Sequence, residues 1–391
     1  MSEAQQSSQQ SYISRVRLKG YKSIIDTEVA LKPGLNIIIG ANGSGKTNFV
    51  EFMEGIINRQ HNGTVFEASY TISIEDFPFF NVYKIESFPD VENRESYKII
   101  EKVETYKEGK KTHTKESKED IHFFFNRTNA SKVLPCIKIN YQIPYPIEGL
   151  DNQVSVVYKL REEYPFWYLE NRTISKSRFI QSLLDKNFFL YLDLDNQSGS
   201  ISEERLLDAV LNEIIDSNIL SNLQKFSLIK QLRINPAVSI KKSNNSIDIF
   251  HFNLEFFVNN HWLKWNQLSD GTRRMFYIIT ELATLDKGTY LLEEPELGIH
   301  PHQLSRLMDF IKEQSESKQI ILTTHSPEVL NTLGRDELDR IIVARYDKEK
   351  GTQLRHLSED DIKFAKDYMK NELFLSDYWV MSGFETEEEN V

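Results

Sequence analysis

Three observations predict an α/β chain with a mainly parallel sheet, antiparallel strands at its start and a large mixed α+β insertion. The stretch Gly40-Ala41-Asn42-Gly43-Ser44-Gly45-Lys46-Thr47 joins an apolar β-branched run, residues 36–39, to a helical pattern over residues 48–57. The final third alternates short apolar runs with helical periods, the pattern of a sheet whose strands run parallel. Between the two lie about 200 residues, 61–261, that read first as strands, then as helices, then as strands again.

The chain opens on a polar stretch, residues 1–11, read as a loose tail without the apolar core of a signal peptide. Residues 13–18 alternate apolar and basic, residues 24–31 alternate similarly, and Gly20 and Pro33-Gly34 punctuate them. Two antiparallel strands leading into the buried strand at 36–39 are expected. β-like runs follow at 64–74, 79–85, 97–106 and 132–143, with the charged residues 107–120 read as an exposed loop. Residues 154–160 suggest a strand. Helical spacing appears over 175–186 and 202–219, with a continuation at 222–232 after a short break. Runs at 237–241, 246–258 and 261–265, separated by Asn244-Asn245 and Asn259-Asn260, suggest a hairpin meander. The last third then gives a helix at 271–285, a strand at 289–292, a helix at 301–314 and a strand at 319–323. A short helix at 327–333, a strand at 340–346 and a helix at 359–370 precede an acidic end. The expected organisation is a tail (1–11), a core in two parts (12–60 and 262–356), an insertion (61–261) and a C-terminal segment (357–391).

Composition narrows the partners. Net charge is −11, so no general basic surface advertises nucleic acid, although a local basic face stays open. Cys136 is the single cysteine, which excludes an intrachain disulfide and a multi-cysteine metal site. No run of about 18 apolar residues occurs, so no membrane span and a cytoplasmic setting are expected.

The chemistry begins with the glycine-rich loop. G-x-x-x-x-G-K-[ST] by chance in a chain this long is on the order of 1%, and the strand and helix flanks turn it into a phosphate-binding loop. Gly40, Gly43 and Gly45 let consecutive N–H groups converge on one anion, and the helix beginning near Lys46 adds its positive end. Asn42, Gly43, Ser44, Gly45, Lys46, Thr47 and Asn48 are the candidate nucleotide contacts. Lys46 is placed to reach the β- and γ-phosphates, and the Thr47 hydroxyl to sit on Mg²⁺. Leu268-Ser269-Asp270-Gly271-Thr272 opens the helix of the final third, and alone it reads equally well as an ordinary capped helix. Its place about 20 residues before Tyr290-Leu291-Leu292-Glu293-Glu294-Pro295-Glu296 raises its interest. An apolar strand ending in two acids suits one carboxylate, Glu293, for the Mg²⁺ water shell and a second, Glu294, to polarise the attacking water. A plain acidic turn is the other reading, and the phosphate loop decides against it. His325, just past the apolar run 320–322, is placed to hydrogen-bond a γ-phosphate, where a lone His is more often structural. His300, following the acidic motif, is a candidate subunit contact.

Taken in order, GANGSGKT, LSDGT, LLEEPELGIHP and TTHSPE resemble the ATP-binding cassette ATPases of the SMC and RecF type. The nearest resemblance is to the compact OLD-like and PtuA-like ATPases of bacterial anti-phage systems, and residues 18–24, LKGYKSI, are similar to that group's N-terminal strand. The resemblance implies an ABC-ATPase core in which two chains sandwich two ATP molecules. Ser269 and Gly271 of one subunit would complete the site built by Lys46 and Glu294 of the other. It also implies Glu294 as catalytic carboxylate, His325 as switch histidine and Gln142 as the Q-loop glutamine that contacts the metal. Two departures stand out: Glu293 occupies a position that is usually Asp, and Asp270 and Thr272 vary the frequent LSGGQ.

The expected function is an Mg·ATP-dependent, dimerising ATPase that controls a separately encoded effector, with a nuclease implied, in anti-phage defence or a DNA-associated process. A transporter's nucleotide-binding subunit is the alternative from another class, disfavoured by the long insertion and by EEPE followed three residues later by HP. An ATP-binding scaffold with little turnover is a third, disfavoured by Lys46, Thr47, Glu294 and His325 together. A nuclease in the same chain is disfavoured because the strand at 340–346 continues into no acidic constellation of the Toprim kind that follows OLD-like ATPases.

Overall fold

A computed structural model describes residues 11–58, 66–74, 79–89, 97–120, 136–138, 153–157, 187–191, 202–242, 246–284, 288–371 and 373–382. The expected helix at 175–186, Gln142, and both terminal tails lie outside these residues. By its contacts the chain divides into two units. One comprises residues 1–139, 286–297 and 311–391, the other residues 140–285 and 298–310.

The first unit is built on one sheet. β1 (Ser11–Tyr21) and β2 (Ile24–Ala30) form the expected hairpin, Tyr21 opposite Ile24, with Lys22 in the left-handed region at φ 49°. β3 (Leu35–Ile39) is buried at every residue, as a strand of β-branched side chains covered on both faces should be, and runs into the glycine-rich loop and α1 (Lys46–Asn58). From β1 the sheet grows outward through β4 (Phe66–Ile74), β5 (Phe79–Pro89), β6 (Tyr97–Lys107) and β7 (Lys110–Asp120), each antiparallel to the last. Residues 66–120, the start of the expected insertion, therefore continue the N-terminal antiparallel strands.

β7 corrects the expected loop at 107–120. Glu108 (φ 50°) and Gly109 (φ 75°) make a two-residue turn whose left-handed angles match the twist of a hairpin. The charged residues that suggested a loop form this hairpin, and Lys111 donates to the buried Glu104 of β6. Alternation of Lys, Thr and Glu has no apolar member to show its period, which is why the pattern misled.

The parallel half of the sheet holds β8 (Cys136–Lys138), β16 (Thr289–Glu293), β17 (Gln319–Thr324), β3 and β18 (Ile341–Asp347), mutually parallel in the order β8-β16-β17-β3-β18. β19 (Gly351–His356) returns antiparallel to β18 and joins it to β2. Gln319, fully buried, exchanges hydrogen bonds with both backbone groups of Ile13 and holds the Thr289 hydroxyl at 2.9 Å. Ile38, Phe49, Val50, Phe52, Leu291, Ile321 and Ile342 lie in the hydrophobic cluster that fixes α1 on this sheet. Helices α6 (Glu359–Met369) and α7 (Leu375–Ser382) close the described chain.

Among the described residues the second unit holds two small sheets, three helices and part of a fourth. β9 (Gln153–Val157) and β10 (Asn187–Tyr191) join β12 (Ser239–Lys242) and β13 (Ser246–Phe250) in the order β10-β9-β13-β12. β11 (Gln231–Ile234), β14 (Leu254–Val258) and β15 (His261–Lys264) make the other. The expected meander is thus split between sheets, because His251 at φ 58° breaks the run 246–258 into β13 and β14. The expected helix over 202–219 is two, α2 (Glu203–Ile214) and α3 (Ser217–Phe226), since the Asp216 carboxylate caps α3 by accepting from the N–H of Ile219. α3 stops at Phe226, and what was expected to extend it to 232 turns into β11. α4 (Asp270–Thr284) packs Phe276 and Tyr277 against Trp265, with Phe256 on Phe276. α5 (Pro301–Ser315) begins in this unit.

Candidate functional site

Strand register brings the first unit's motifs to one line. Glu293 pairs with Thr323 across β16 and β17, and Thr324 pairs with Ile39 across β17 and β3. Glu294, His325 and Gly40 therefore leave the sheet together at the carboxyl ends of three neighbouring strands, within about 10 Å at a spacing of ~4.8 Å per strand. Two further backbone bonds extend the ladder past the strands: Glu294 N–H to Thr323 O at 2.8 Å, and Gly40 N–H to Thr324 O at 3.4 Å. An open α/β sheet places its ligands at this edge.

The loop lies flat on the β18–β19 hairpin. A Cβ on Gly40 would stand 2.2 Å from the Ala344 carbonyl oxygen, and one on Gly45 would stand 2.0 Å from the Thr352 hydroxyl. Gly43 and Gly45 take φ of 83° and 93°, which L side chains rarely adopt. Lys46 is 5% exposed, and its ammonium donates to the carbonyls of Gly40 at 2.6 Å and Ala41 at 3.0 Å. The Ser44 hydroxyl is buried and has no hydrogen-bond partner among the described residues. A buried cation and a buried orphan hydroxyl beside glycines in left-handed conformations form a cradle for an anion, which would satisfy the hydroxyl. Asn42 and Thr47 are exposed, while Asn48 donates to the Ser23 hydroxyl at 2.6 Å, which in turn bonds Thr352 at 2.7 Å.

Opposite the loop, Glu294 occupies the left-handed region at φ 47°, a conformation that costs a non-glycine residue about 1 kcal/mol or more. Its carbonyl accepts from Leu297 N–H at 3.2 Å, so the chain turns sharply and Glu294 points away from the direction of Glu293's strand. His325 Nδ1 lies 3.4 Å from Glu294 Oε1 and 3.8 Å from Glu296 Oε1. Glu296 is buried and accepts a hydrogen bond from the Thr324 hydroxyl. In the sequence Glu296 is visible only as the third acid of Glu293-Glu294-Pro295-Glu296, and nothing there marks Thr324. The support that Ala344 and Thr352 give the loop had no sequence signal, because it comes from strands three hundred residues away.

Residues 159–331 match the model of the AAA domain, putative AbiEii toxin, Type IV TA system. Over 92% of its length the chain is 23% identical to endonuclease GajA of Bacillus cereus (strain HuB5-5), and it spans 64% of that protein. A 39-residue stretch is 46% identical to the DNA replication and repair protein RecF of Salmonella arizonae, covering 10% of this chain and 11% of RecF. The chain fits the SMC, RecF and OLD-like class of P-loop ATPases. A solved Smc head domain with an extended coiled coil, from Pyrococcus furiosus and bound to the C-terminal domain of ScpA, is 14% identical over 93% of this chain and 100% of its own, with TM-score 0.48. The SMC head domain from Thermotoga maritima is 11% identical over 88% of this chain and 99% of its own, with TM-score 0.41.

The LSDGT segment belongs to the second unit. Ser269 is exposed and caps α4: its hydroxyl accepts from Thr272 N–H at 3.2 Å and shares a 2.8 Å bond with the Thr272 hydroxyl. Gly271 is required by close approach, since a Cβ there would meet the Gly298 carbonyl oxygen at 2.4 Å. Asp270 and Arg273 form an ion pair on the first turn. His300 is exposed and stacks on His302, with ring centroids 5.5 Å apart. Among the described residues no helix is long and apolar enough to cross a membrane.

Proposed function

We propose that the chain is an Mg·ATP-dependent ATPase that dimerises around two ATP molecules and passes its nucleotide state to a separate effector protein. The observation that carries the reading is the shared sheet edge, where the glycine-rich loop, Glu294 and His325 leave three neighbouring strands at one level. Lys46 would exchange its bonds to Gly40 and Ala41 for phosphate oxygens, and Asn42 to Asn48 would line the triphosphate. Water attacks the γ-phosphorus, the bond to the β-phosphate oxygen breaks, and Glu294 takes the proton of the attacking water. His325 would donate to the γ-phosphate.

The exposed Thr47 hydroxyl and the half-buried Glu293 carboxylate fit Mg²⁺ as hard oxygen donors. Among the described residues no group of three or more His, Cys, Asp or Glu is arranged to hold a metal. Two protein oxygens completed by phosphates and water is the usual coordination of this ion. When bound, it would neutralise charge developing on the β- and γ-phosphates. Gln142 is kept as the Q-loop candidate.

Residues 12–60 and 262–356 are taken as the ATPase core. Ser269 and Gly271 of one chain would close on the phosphates held by Lys46 of another. The reading includes a setting in anti-phage defence or DNA metabolism, in the cytoplasm, with a nuclease as the effector and nucleic acid as a further contact; similarity to an endonuclease and to a DNA replication and repair protein supports its link to DNA. The test is phosphate release from purified protein with Mg·ATP, repeated with Lys46→Ala and Glu294→Gln. Turnover by the wild type, lost in both variants, is expected. Turnover retained in either variant removes this site from the reaction.

A further inference from the structure

Glu296 is the group at this edge that the reaction above does not use. Its side chain is 7% exposed, and its Oε2 is buried without a hydrogen-bond partner among the described residues. A carboxylate in such a place is costly, and a neutral side chain of the same size would serve packing better. Something else must depend on the acid.

Its other oxygen shows what. Oε1 accepts from the Thr324 hydroxyl, and the same hydroxyl oxygen accepts from the Ser326 backbone N–H at 2.9 Å. The residues on either side of His325 are thereby tied to one carboxylate. The imidazole between them keeps Nδ1 at 3.8 Å from Glu296 Oε1 while it meets Glu294 Oε1 at 3.4 Å. Two carboxylates facing one ring nitrogen favour the tautomer that carries its proton there and turn Nε2 outward.

We propose that Glu296 is a positioning residue for His325: through Thr324 and Ser326 it fixes the segment that carries the imidazole and holds the ring against Glu294. The proposal rests on the ATPase reading of the site and names a part of it that neither motif nor relative assigns. Thr324 is its obligatory intermediary. A hydroxyl is needed there because one group must donate to Glu296 and accept from Ser326 at the same time.

The test is steady-state ATP hydrolysis together with affinity for a fluorescent ATP analogue, on the full chain. Glu296→Met, which keeps the length but removes the acceptor, and Thr324→Val should each lower kcat by roughly ten- to a hundredfold, the cost of a misplaced group, while analogue affinity stays within about twofold. The double variant should lose no more than the worse single one, because both changes break one linkage. Thr324→Ser, which keeps the hydroxyl, should recover the turnover that Thr324→Val loses. Full turnover in Glu296→Met, with Glu294→Gln inactive, overturns the positioning role and leaves the ATPase reading standing. Undiminished turnover in Glu294→Gln overturns the reading itself. Multiplying losses in the double variant would show two independent effects and sink the linkage. If Thr324→Val fails to fold, the contrast of Thr324→Ser with Glu296→Asp, which draws the carboxylate back by one methylene, decides: equal turnover in both refutes the proposal.

Discussion

His325 Nδ1 and Glu294 Oε1 are 3.4 Å apart, on chain segments that leave adjacent parallel strands at the same level. The pair joins a basic ring to the acid at the most strained residue of the edge, since Glu294 sits at φ 47°. Glu294→Gln keeps the shape and removes the charge that would polarise water. The variant should bind ATP and hydrolyse it more slowly by about 10²- to 10⁴-fold. Phosphate release at the wild-type rate would remove Glu294 from the chemistry.

Lys46 is buried with its ammonium on two carbonyl oxygens of its own loop. Lys46→Ala deletes the cation and leaves the Gly40 and Ala41 carbonyls without that donor. ATP affinity should fall by roughly ten- to a hundredfold, the worth of about 1.5–3 kcal/mol for charge-assisted bonds. The unliganded protein should also melt at lower temperature. Calorimetry giving equal affinity for both proteins would exclude Lys46 from the phosphate site.

Glu104 gives the outer strands a pH signature. Hydrogen bonds from Lys111 and Lys84 hold its carboxyl at about 2, well under the usual value, with a further one from Tyr106 and against the opposing effect of burial. A carboxyl depressed in the folded state contributes stability that is complete above its unfolded pKa of ~4.3 and is lost as pH falls towards the folded value. Wild type should therefore lose more melting temperature between pH 5 and pH 2 than Glu104→Gln does (roughly the window between those two pKa values). Parallel melting curves across that range would show that the lysines around Glu104 contribute nothing.

The local motifs were legible because each carries its own geometry. Gly43 and Gly45 announce left-handed angles, and the β-branched run before them announces a strand buried on both faces. Strand order was not legible: that β17 lies between β16 and β3, bringing the His325–Glu294 edge beside the loop that begins at Gly40, follows from β17–β3 pairing across more than two hundred residues. The charged hairpin at 107–120 escaped because its core side is written on a neighbouring strand. Glu296 escaped for a related reason, since an acid beside two functional acids looks like more of the same until burial sets it apart.

Ser269 presents two tasks that substitution can separate. As the cap of α4 it satisfies the Thr272 N–H, and as an exposed hydroxyl at a helix N-terminus it would meet the γ-phosphate held by a partner chain. Asp caps a helix about as well as Ser, while its charge would repel a phosphate. Ser269→Asp should therefore keep the wild-type melting temperature, whereas Ser269→Ala should cost about 1 kcal/mol of stability through the lost cap. Placed in the Glu294→Gln background, where ATP is bound and persists, Ser269→Asp should abolish the ATP-dependent shift from monomer to dimer in sedimentation. Ser269→Ala should weaken that shift without removing it, because the backbone N–H groups of the helix terminus remain. Gly271 cannot serve in this test, since any side chain there collides with the Gly298 carbonyl and disturbs the unit itself. If Ser269→Asp dimerises with ATP as readily as its parent, Ser269 is a helix cap and nothing more, and the sandwich must close on other residues.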